Sequence, residues 1–260
     1  MRIALGIEYD GSDFAGWQLQ KGCVRTVQGA VEQALSRVAD HPLRVICAGR
    51  TDAGVHATAQ VVHFDTQAGR SMHSWVYGAN ANLPRTVSVQ WARAVSEDFH
   101  ARFSAIRRRY RYVILNRELR PAFLASRVAW EYRPLDETLM RRAARDLVGA
   151  HDFSAYRAVA CQAKSPVRSL YELAVKRDRD LVILDLEANA FLHHMVRNIA
   201  GVLMDIGAGK QQPGWAREVL ESRDRTLGGV TAQPDGLYLT GVGYPAQFEL
   251  PPLSPSGVVW

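Results

Sequence analysis

The sequence is poor in the residues that form disulfides and metal clusters. Its three cysteines, Cys23, Cys47 and Cys161, are odd in number and far apart. None belongs to a CxxC motif or a Cys/His cluster, so neither a disulfide framework nor a cysteine-based zinc site is expected. We expect no bound metal.

Long hydrophobic runs are also missing. No run approaches the roughly eighteen consecutive apolar residues of a membrane helix. The first residues, MRIALGIEYDGSDF, reach an acidic side chain too early for a secretory signal. With 47% hydrophobic and 22% charged residues, the chain has the balance of a globular protein of one large domain or two ordinary ones. We therefore expect a cytoplasmic protein.

Lysine is scarce among the basic residues. Four of the 32 are lysines, so 28 are arginines, and the net charge is +6. A basic chain favours a polyanionic partner, and guanidinium groups suit phosphates and stacked bases. Codon bias alone gives the same excess of arginine, so the composition leaves both explanations open.

Hydrophobic periodicity predicts an α+β fold with two similar domains, mostly antiparallel sheets and helices on one face. The first domain, 1–103, has predicted strands at 2–9, 43–47, 58–64 and 87–94, and predicted helices from Val27, capped by Thr26, and over 72–82. The second, 104–245, has predicted strands at 107–115, 170–176, 181–186 and 236–242, and predicted helices over 135–148 and 191–206. A Pro-rich irregular tail, 246–260, is predicted to follow.

The loop GRTDAGVH, residues 49–56, places a carboxylate between two glycines at the end of a strand. Residues two apart in an extended chain point the same way, so Asp52 and Arg50 are predicted to share a pocket. An ordinary Asx turn beside a surface arginine is the alternative. The nearby His56 and His63 have no familiar metal-ligand spacing and are interpreted as structural.

Two further segments carry basic side chains. In RRRYRY, residues 107–112, a strand sets Tyr110 and Tyr112 on one face and the arginines on the other. Aromatic rings stack bases and arginines hold phosphates, although a solvated basic strand has the same pattern. In the helix at 191–206, Arg197 lies away from the apolar stripe, either solvated or reaching into a cleft. His193 and His194 are adjacent and are expected to diverge, which argues against joint ligation of a metal.

Together these segments resemble the tRNA pseudouridine synthase A (TruA) family. The matching stretches are YDGSDFAGWQLQ at 9–20, AGRTDAGVHATAQVVHF at 48–64, RRYRYVI at 108–114, HDFSAY at 151–156, CQAKSPVRSL at 161–170 and FLHHMVRNIAGVL at 191–203. They span nearly the whole chain in the family's order, and the second stretch is the most specific.

The resemblance implies a two-domain fold with an active-site cleft between the domains, a homodimer, and tRNA substrates modified at positions 38, 39 and 40 of the anticodon stem-loop. It also implies residue roles: Asp52 as the catalytic aspartate, Tyr110 as the base-stacking tyrosine, Arg197 as the arginine paired with the aspartate, and Arg50 as an aid to base flipping. Isomerising uridine neither oxidises the substrate nor adds a group, so no cofactor is expected.

The residues leave three points open. Asp52 could attack the sugar, attack the base or remove a proton from the sugar. A pseudouridine synthase with other RNA targets fits the same motifs, and so does a non-catalytic tRNA-binding protein.

Overall fold

The structure, a computed structural model, describes residues 1–20, 22 and 24–251. Cys23 and residues 252–260 of the predicted tail lie outside the described residues. The described strands are β1 (Arg2–Tyr9), β2 (Ile46–Cys47), β3 (His56–Asp65), β4 (Val87–Val95), β5 (Arg107–Asn116), β6 (Ala129–Glu131), β7 (Gly149–Asp152), β8 (Val167–Asp178), β9 (Leu181–Ala188) and β10 (Leu237–Gly243). The described α-helices are α1 (Val27–Ala39), α2 (Met72–Asn82), α3 (Glu137–Arg145), α4 (Met195–Gly207) and α5 (Trp215–Ser222).

Contacts between Cα atoms group the chain into two compact units. The first unit comprises Met1–Arg107 with Tyr238–Trp260, and the second comprises Arg108–Leu237. The first unit takes in β10 because Tyr238 lies opposite His56 in a parallel pairing with β3. The domains predicted from the sequence, 1–103 and 104–245, are continuous stretches of chain. They differ from the contact units because periodicity indicates a strand but not its partner.

In the first unit, β1 lies between β3 and β4 and pairs with both in antiparallel fashion. The other edge of β3 carries β2, which is antiparallel, and β10, which is parallel. Helix α1 packs against α2, and α2 packs against β4. The side chain of Thr26 accepts a hydrogen bond from the Gly29 amide at 3.2 Å, so the predicted cap of α1 is present.

In the second unit, the strand order is β6, β5, β9, β8 and β7. All neighbours pair antiparallel except β5 and β6. Helix α3 packs against α4 and against β8. The prediction of an α+β fold with mostly antiparallel sheets is confirmed. Among the described helices, none is both long enough and apolar enough to cross a membrane.

The start of α4 differs from the prediction. A helix was expected from residue 191, but α4 begins at Met195. His194 precedes it with φ 62° and ψ 2°, a left-handed conformation that cannot continue a right-handed helix. Three short elements, β6, β7 and α5, were not predicted. They contain only three, four and eight residues, too few for a clear periodic signal.

Candidate active site

The loop that carries Asp52 connects β2 to β3 in the first unit, and its backbone is held on both sides of the aspartate. The amide of Trp17 donates to the carbonyl of Thr51 at 3.0 Å, and the amide of Gly54 donates to the carbonyl of Phe14 at 3.4 Å. Asp52 itself is half-buried, whereas Arg50 is exposed. The turn that presents the carboxylate is therefore fixed by a neighbouring stretch of chain.

Buried side chains of β1 and β3 also form hydrogen bonds with this loop. Gln60 on β3 is fully buried, and its amide donates to the carbonyl of Gly49 at 2.7 Å and accepts from the Gly49 amide at 3.4 Å. The hydroxyls of Tyr9 and Thr51 are 2.8 Å apart and buried. These groups are neutral and satisfy one another, so they position the loop without the cost of burying a charge.

Two glycines allow the neighbouring stretch to approach the loop closely. A Cβ atom on Gly11 would lie 2.0 Å from the carbonyl oxygen of Val55. Gly16 has φ +94°, and its Cβ atom would lie 2.8 Å from the carbonyl oxygen of Thr51. Sequence reasoning missed Gly11, Gly16 and Gln60 as supports of the site. The resembling stretch at 9–20 contained the two glycines, but it does not show which backbone they approach.

The histidines of β3 pack inside the first unit. His56 is 3% exposed, and its Nδ1 accepts from the Gly11 amide at 3.1 Å and lies 3.2 Å from a carboxylate oxygen of Asp10. Its ring stacks on Tyr238, with centroids 4.7 Å apart. His63 is 2% exposed, and its Nδ1 accepts from the Ala101 amide at 3.1 Å. Both rings therefore take part in packing and in backbone hydrogen bonds.

In the second unit, two arginines of β5 lie directly opposite acidic residues of β9. Arg109 faces Glu187 and forms an ion pair with it. Arg111 faces Asp185, and the guanidinium donates to both carboxylate oxygens, at 2.7 and 3.0 Å. The predicted alternation of tyrosines and arginines is present, but these two guanidinium groups are already engaged by the protein's own carboxylates.

The two tyrosines of β5 have different environments. Tyr112 is fully buried, and its hydroxyl donates to the carbonyl of Gln233 at 2.7 Å, while burial raises the pKa of its phenol. Tyr110 is 9% exposed and meets Phe191 edge to face, with centroids 5.0 Å apart and planes at 82°. Tyr110 is thus the ring of this pair that retains some accessible surface, and Phe191 braces it.

Arg197 lies in the first turn of α4 and is half-buried. Its Nε donates to the carbonyl of Ala232 at 2.8 Å, and the Ala232 amide donates to the carbonyl of Arg197 at 3.1 Å. This reciprocal pair fixes the side chain at its Nε end. Arg197 is therefore held in place, which corrects the alternative of a freely solvated side chain.

The prediction that His193 and His194 diverge is wrong. Their ring centroids lie 4.1 Å apart, with planes tilted by 45°. The left-handed backbone of His194 is the reason, because it breaks the alternation that regular structure imposes on consecutive side chains. Adjacency in the sequence therefore does not rule out joint action of the two imidazoles on a ligand.

A family model described as tRNA pseudouridine synthase matches residues 6–104 and 143–245. The chain belongs to the tRNA pseudouridine synthase family. A protein of Nitrosococcus oceani named tRNA pseudouridine synthase A is 64% identical over 260 residues, which is the whole of both chains. A protein of Alcanivorax borkumensis with the same name is 60% identical, and the alignment covers 100% of this chain and 97% of that protein. Another from Pseudomonas aeruginosa is 61% identical, and the alignment covers 96% of this chain and 88% of that protein. The predicted family, and with it the prediction of an isomerase, is confirmed.

The candidate site residues of this pseudouridine synthase fall unevenly on the matched spans. Arg50 and Asp52 lie in the first span, and Arg197 lies in the second. Tyr110 lies in the unmatched stretch between them, although the alignment with the Nitrosococcus oceani protein covers it. The roles of these four residues stay predictions.

Proposed function

We propose that this enzyme converts uridine to pseudouridine at positions 38, 39 and 40 in the anticodon stem-loop of tRNA, with Asp52 as its catalytic residue. The full-length identity of 64% to a protein named tRNA pseudouridine synthase A carries the proposal. The basic chain, with a net charge of +6, suits an RNA substrate.

The reaction needs little more than a carboxylate and a way to hold the base. The bond between N1 of uracil and C1′ of the sugar breaks, the uracil turns, and its C5 bonds to C1′ while the proton on C5 is lost and N1 gains one. Because uridine and pseudouridine are isomers, the reaction needs neither an oxidant nor a reductant, and we propose no cofactor. As the bond breaks, C1′ gains oxocarbenium character, which the Asp52 carboxylate stabilises.

Arg197 and Arg50 supply positive charge in this proposal. Arg197, whose Nε donates to the carbonyl of Ala232, pairs with the catalytic carboxylate and orients it. Arg50 is exposed on the catalytic loop and helps to extrude the target nucleotide by contacting the RNA strand.

Tyr110 receives the extruded uracil. Taking a base out of the stack costs a few kcal/mol, and stacking on an aromatic ring returns about 1–3 kcal/mol. Phe191 holds the tyrosine ring edge to face, so little side-chain entropy is lost when the base arrives. In this proposal, the tyrosine hydroxyl also helps to remove the proton from C5.

The decisive experiment compares Asp52→Asn with Asp180→Asn, a change of an exposed aspartate in the β8–β9 hairpin. We expect Asp52→Asn to abolish tritium release from 5-tritiated uridine in unmodified tRNA, while tRNA affinity stays within about tenfold because phosphate contacts dominate binding. Asp180→Asn should retain wild-type turnover. Full turnover by Asp52→Asn would show that Asp52 is not the catalytic residue.

The target positions need a separate test. Pseudouridine mapping in tRNA from a strain that lacks the gene should show losses confined to positions 38 to 40. An unchanged anticodon arm with losses elsewhere favours a synthase with other RNA targets. No loss in any RNA, together with retained tRNA binding by the purified protein, favours a non-catalytic tRNA-binding protein.

We also propose that the enzyme is a homodimer that works in the cytoplasm. Sedimentation velocity of the full chain at micromolar concentration tests the first point, and a single species at the mass of one chain, 28.9 kDa, contradicts it. Fractionation of cells that express the native protein tests the second.

A further inference from the structure

The segment that connects β4 to β5 presents an aromatic ring to solvent. Phe103 is 76% exposed, although phenylalanine is among the residues most often buried. His100 lies under its ring, with centroids 4.3 Å apart and planes at 29°, and the guanidinium of Arg102 lies 5.4 Å from the ring centroid. We call His100, Arg102 and Phe103 the Phe103 platform. With this much of Phe103 accessible, much of its ring remains open to a ligand.

The platform is held in place by its own backbone and by the core of the first unit. Nδ1 of His100 accepts hydrogen bonds from the amides of Arg102 and Phe103, both at 3.2 Å. The His100 ring lies 4.9 Å from that of His63, which is buried on β3. Burial, and next the neighbouring His100, lower the pKa of His63 to about 4, so this imidazole is neutral at physiological pH. The Phe103 ring is therefore held in a fixed orientation by His100. The His63 imidazole, which contacts His100 on the core side, is uncharged.

The platform lies near β2, the strand that leads into the Asp52 loop, because the His100 ring is 4.9 Å from that of His63 and His63 pairs with Ile46 of β2. Cys47 ends β2, three residues before Arg50. Burial raises the pKa of its thiol to about 12, and the nearby guanidinium groups of Arg50 and Arg102 oppose that rise. The same thiol is thus close enough to both arginines to interact with them.

We propose that Phe103 is a stacking site for an unpaired base of the RNA substrate, other than the target uridine, with Arg102 contacting a phosphate beside it. The inference rests on the proposed function, because that function supplies a stem-loop whose loop bases are unpaired. Aromatic rings bind single-stranded bases by stacking, and guanidinium groups nearby hold the backbone. An exposed phenylalanine beside an arginine is also typical of protein interfaces, so the oligomeric state is one of the readouts of the test below.

The test is the steady-state kinetics and tRNA binding of Phe103→Ala and Phe103→Trp. We expect Phe103→Ala to raise both KM and the dissociation constant by about 5- to 150-fold, the range for removal of a base-stacking ring, with kcat at saturation within about twofold. Phe103→Trp should bind about as well as the wild type. Arg102→Gln should weaken binding and reduce the salt-dependence slope by about 1.

A matched control comes from α2, where Tyr77 is 65% exposed and stacks on His73 with centroids 4.1 Å apart. Tyr77→Ala should leave KM within about twofold of the wild type. An equal loss in Tyr77→Ala, an unchanged KM in Phe103→Ala, or a change of oligomeric state in Phe103→Ala would each overturn the proposal. The last outcome assigns the ring to a protein interface.

The two proposals fail in different ways. If the wild type forms pseudouridine in tRNA and Phe103→Ala behaves like it, only the platform is wrong. If the wild type forms no pseudouridine but binds tRNA in a Phe103-dependent manner, the catalytic proposal is wrong and the stacking site stands. UV crosslinking of the complex, followed by mass spectrometry, gives an independent readout: a nucleotide attached at Phe103 supports the proposal.

Discussion

The two units hold their functional segments by different kinds of interaction. In the first unit, the loop that carries Asp52 is fixed by neutral hydrogen bonds, such as those between Gln60 and Gly49 and between Tyr9 and Thr51. In the second, the basic strand β5 is fixed by ion pairs across to β9, such as that between Arg111 and Asp185. Salt does not weaken hydrogen bonds between neutral groups, whereas it screens the attraction within partly exposed ion pairs.

This difference qualifies what an arginine-rich sequence means. Arg109 and Arg111 stand in the most basic segment of the chain, yet both face carboxylates of the protein. Arg102 and Arg50 stand in less conspicuous segments and are exposed. The number of arginines in a motif therefore does not show how many of them pair with carboxylates of the protein, whereas the cross-strand neighbour of each arginine does.

The largest effect is expected from a change that forces the neighbouring stretch at 9–20 away from the loop that carries Asp52. In Gly11→Ala, the new Cβ atom lies 2.0 Å from the carbonyl oxygen of Val55, so the backbone beside Asp52 must shift. We expect kcat/KM on tRNA to fall by about 100-fold, as misplacement by an ångström can cause, with the circular dichroism spectrum retained. Gly69→Ala is the control, because a Cβ atom there meets nothing within 4 Å. Wild-type activity in Gly11→Ala would show that the loop tolerates displacement.

A smaller effect is expected from Gln60→Leu, which removes the hydrogen bonds to Gly49 and leaves its half-buried carbonyl without that partner. We expect the free energy of unfolding to fall by about 1–3 kcal/mol in urea titrations. This loss should be the same in low and high salt, because the broken bonds are neutral. Gln90→Leu, at an exposed position of β4, should change stability little. A loss that disappears in high salt would contradict the neutral character of the network.

Much of the fold could be predicted from the sequence because its signals are local. Helix α2 was predicted over 72–82 and has those bounds, and the Thr26 cap of α1 needs only the next three residues to be recognised. The left-handed His194 was not predictable in this way. Histidine is enriched among non-glycine residues with positive φ, but such residues are uncommon overall, so nothing in the sequence indicated one here and the start of α4 was placed four residues too early.

The supports of the candidate site were less predictable because they depend on partners far along the chain. In the sequence, Gln60 is an ordinary polar residue of a strand. Only the structure shows that its side chain forms hydrogen bonds with the backbone of Gly49. The pairing of Arg111 with Asp185 depends on the register of β5 against β9, and the two residues lie 74 positions apart in the sequence. By contrast, the glycines of the loop at 49–56 indicated an unusual backbone from local sequence, and Gly54 has φ +78°.

The smallest effect is expected from the ion pair of the second unit. Arg111 and Asp185 are 15% and 25% exposed and doubly hydrogen-bonded, and a pair of this kind contributes about 1 kcal/mol or less. A double-mutant cycle with Arg111→Gln and Asp185→Asn should give that coupling at low salt and a smaller one in 1 M salt, where the Debye length is about 3 Å. The exposed pair Arg217 and Glu221 on α5 should show no measurable coupling in either buffer. A coupling between Arg111 and Asp185 that salt leaves unchanged would contradict the proposed difference between the two units, because both would then be stabilised by interactions that salt does not weaken.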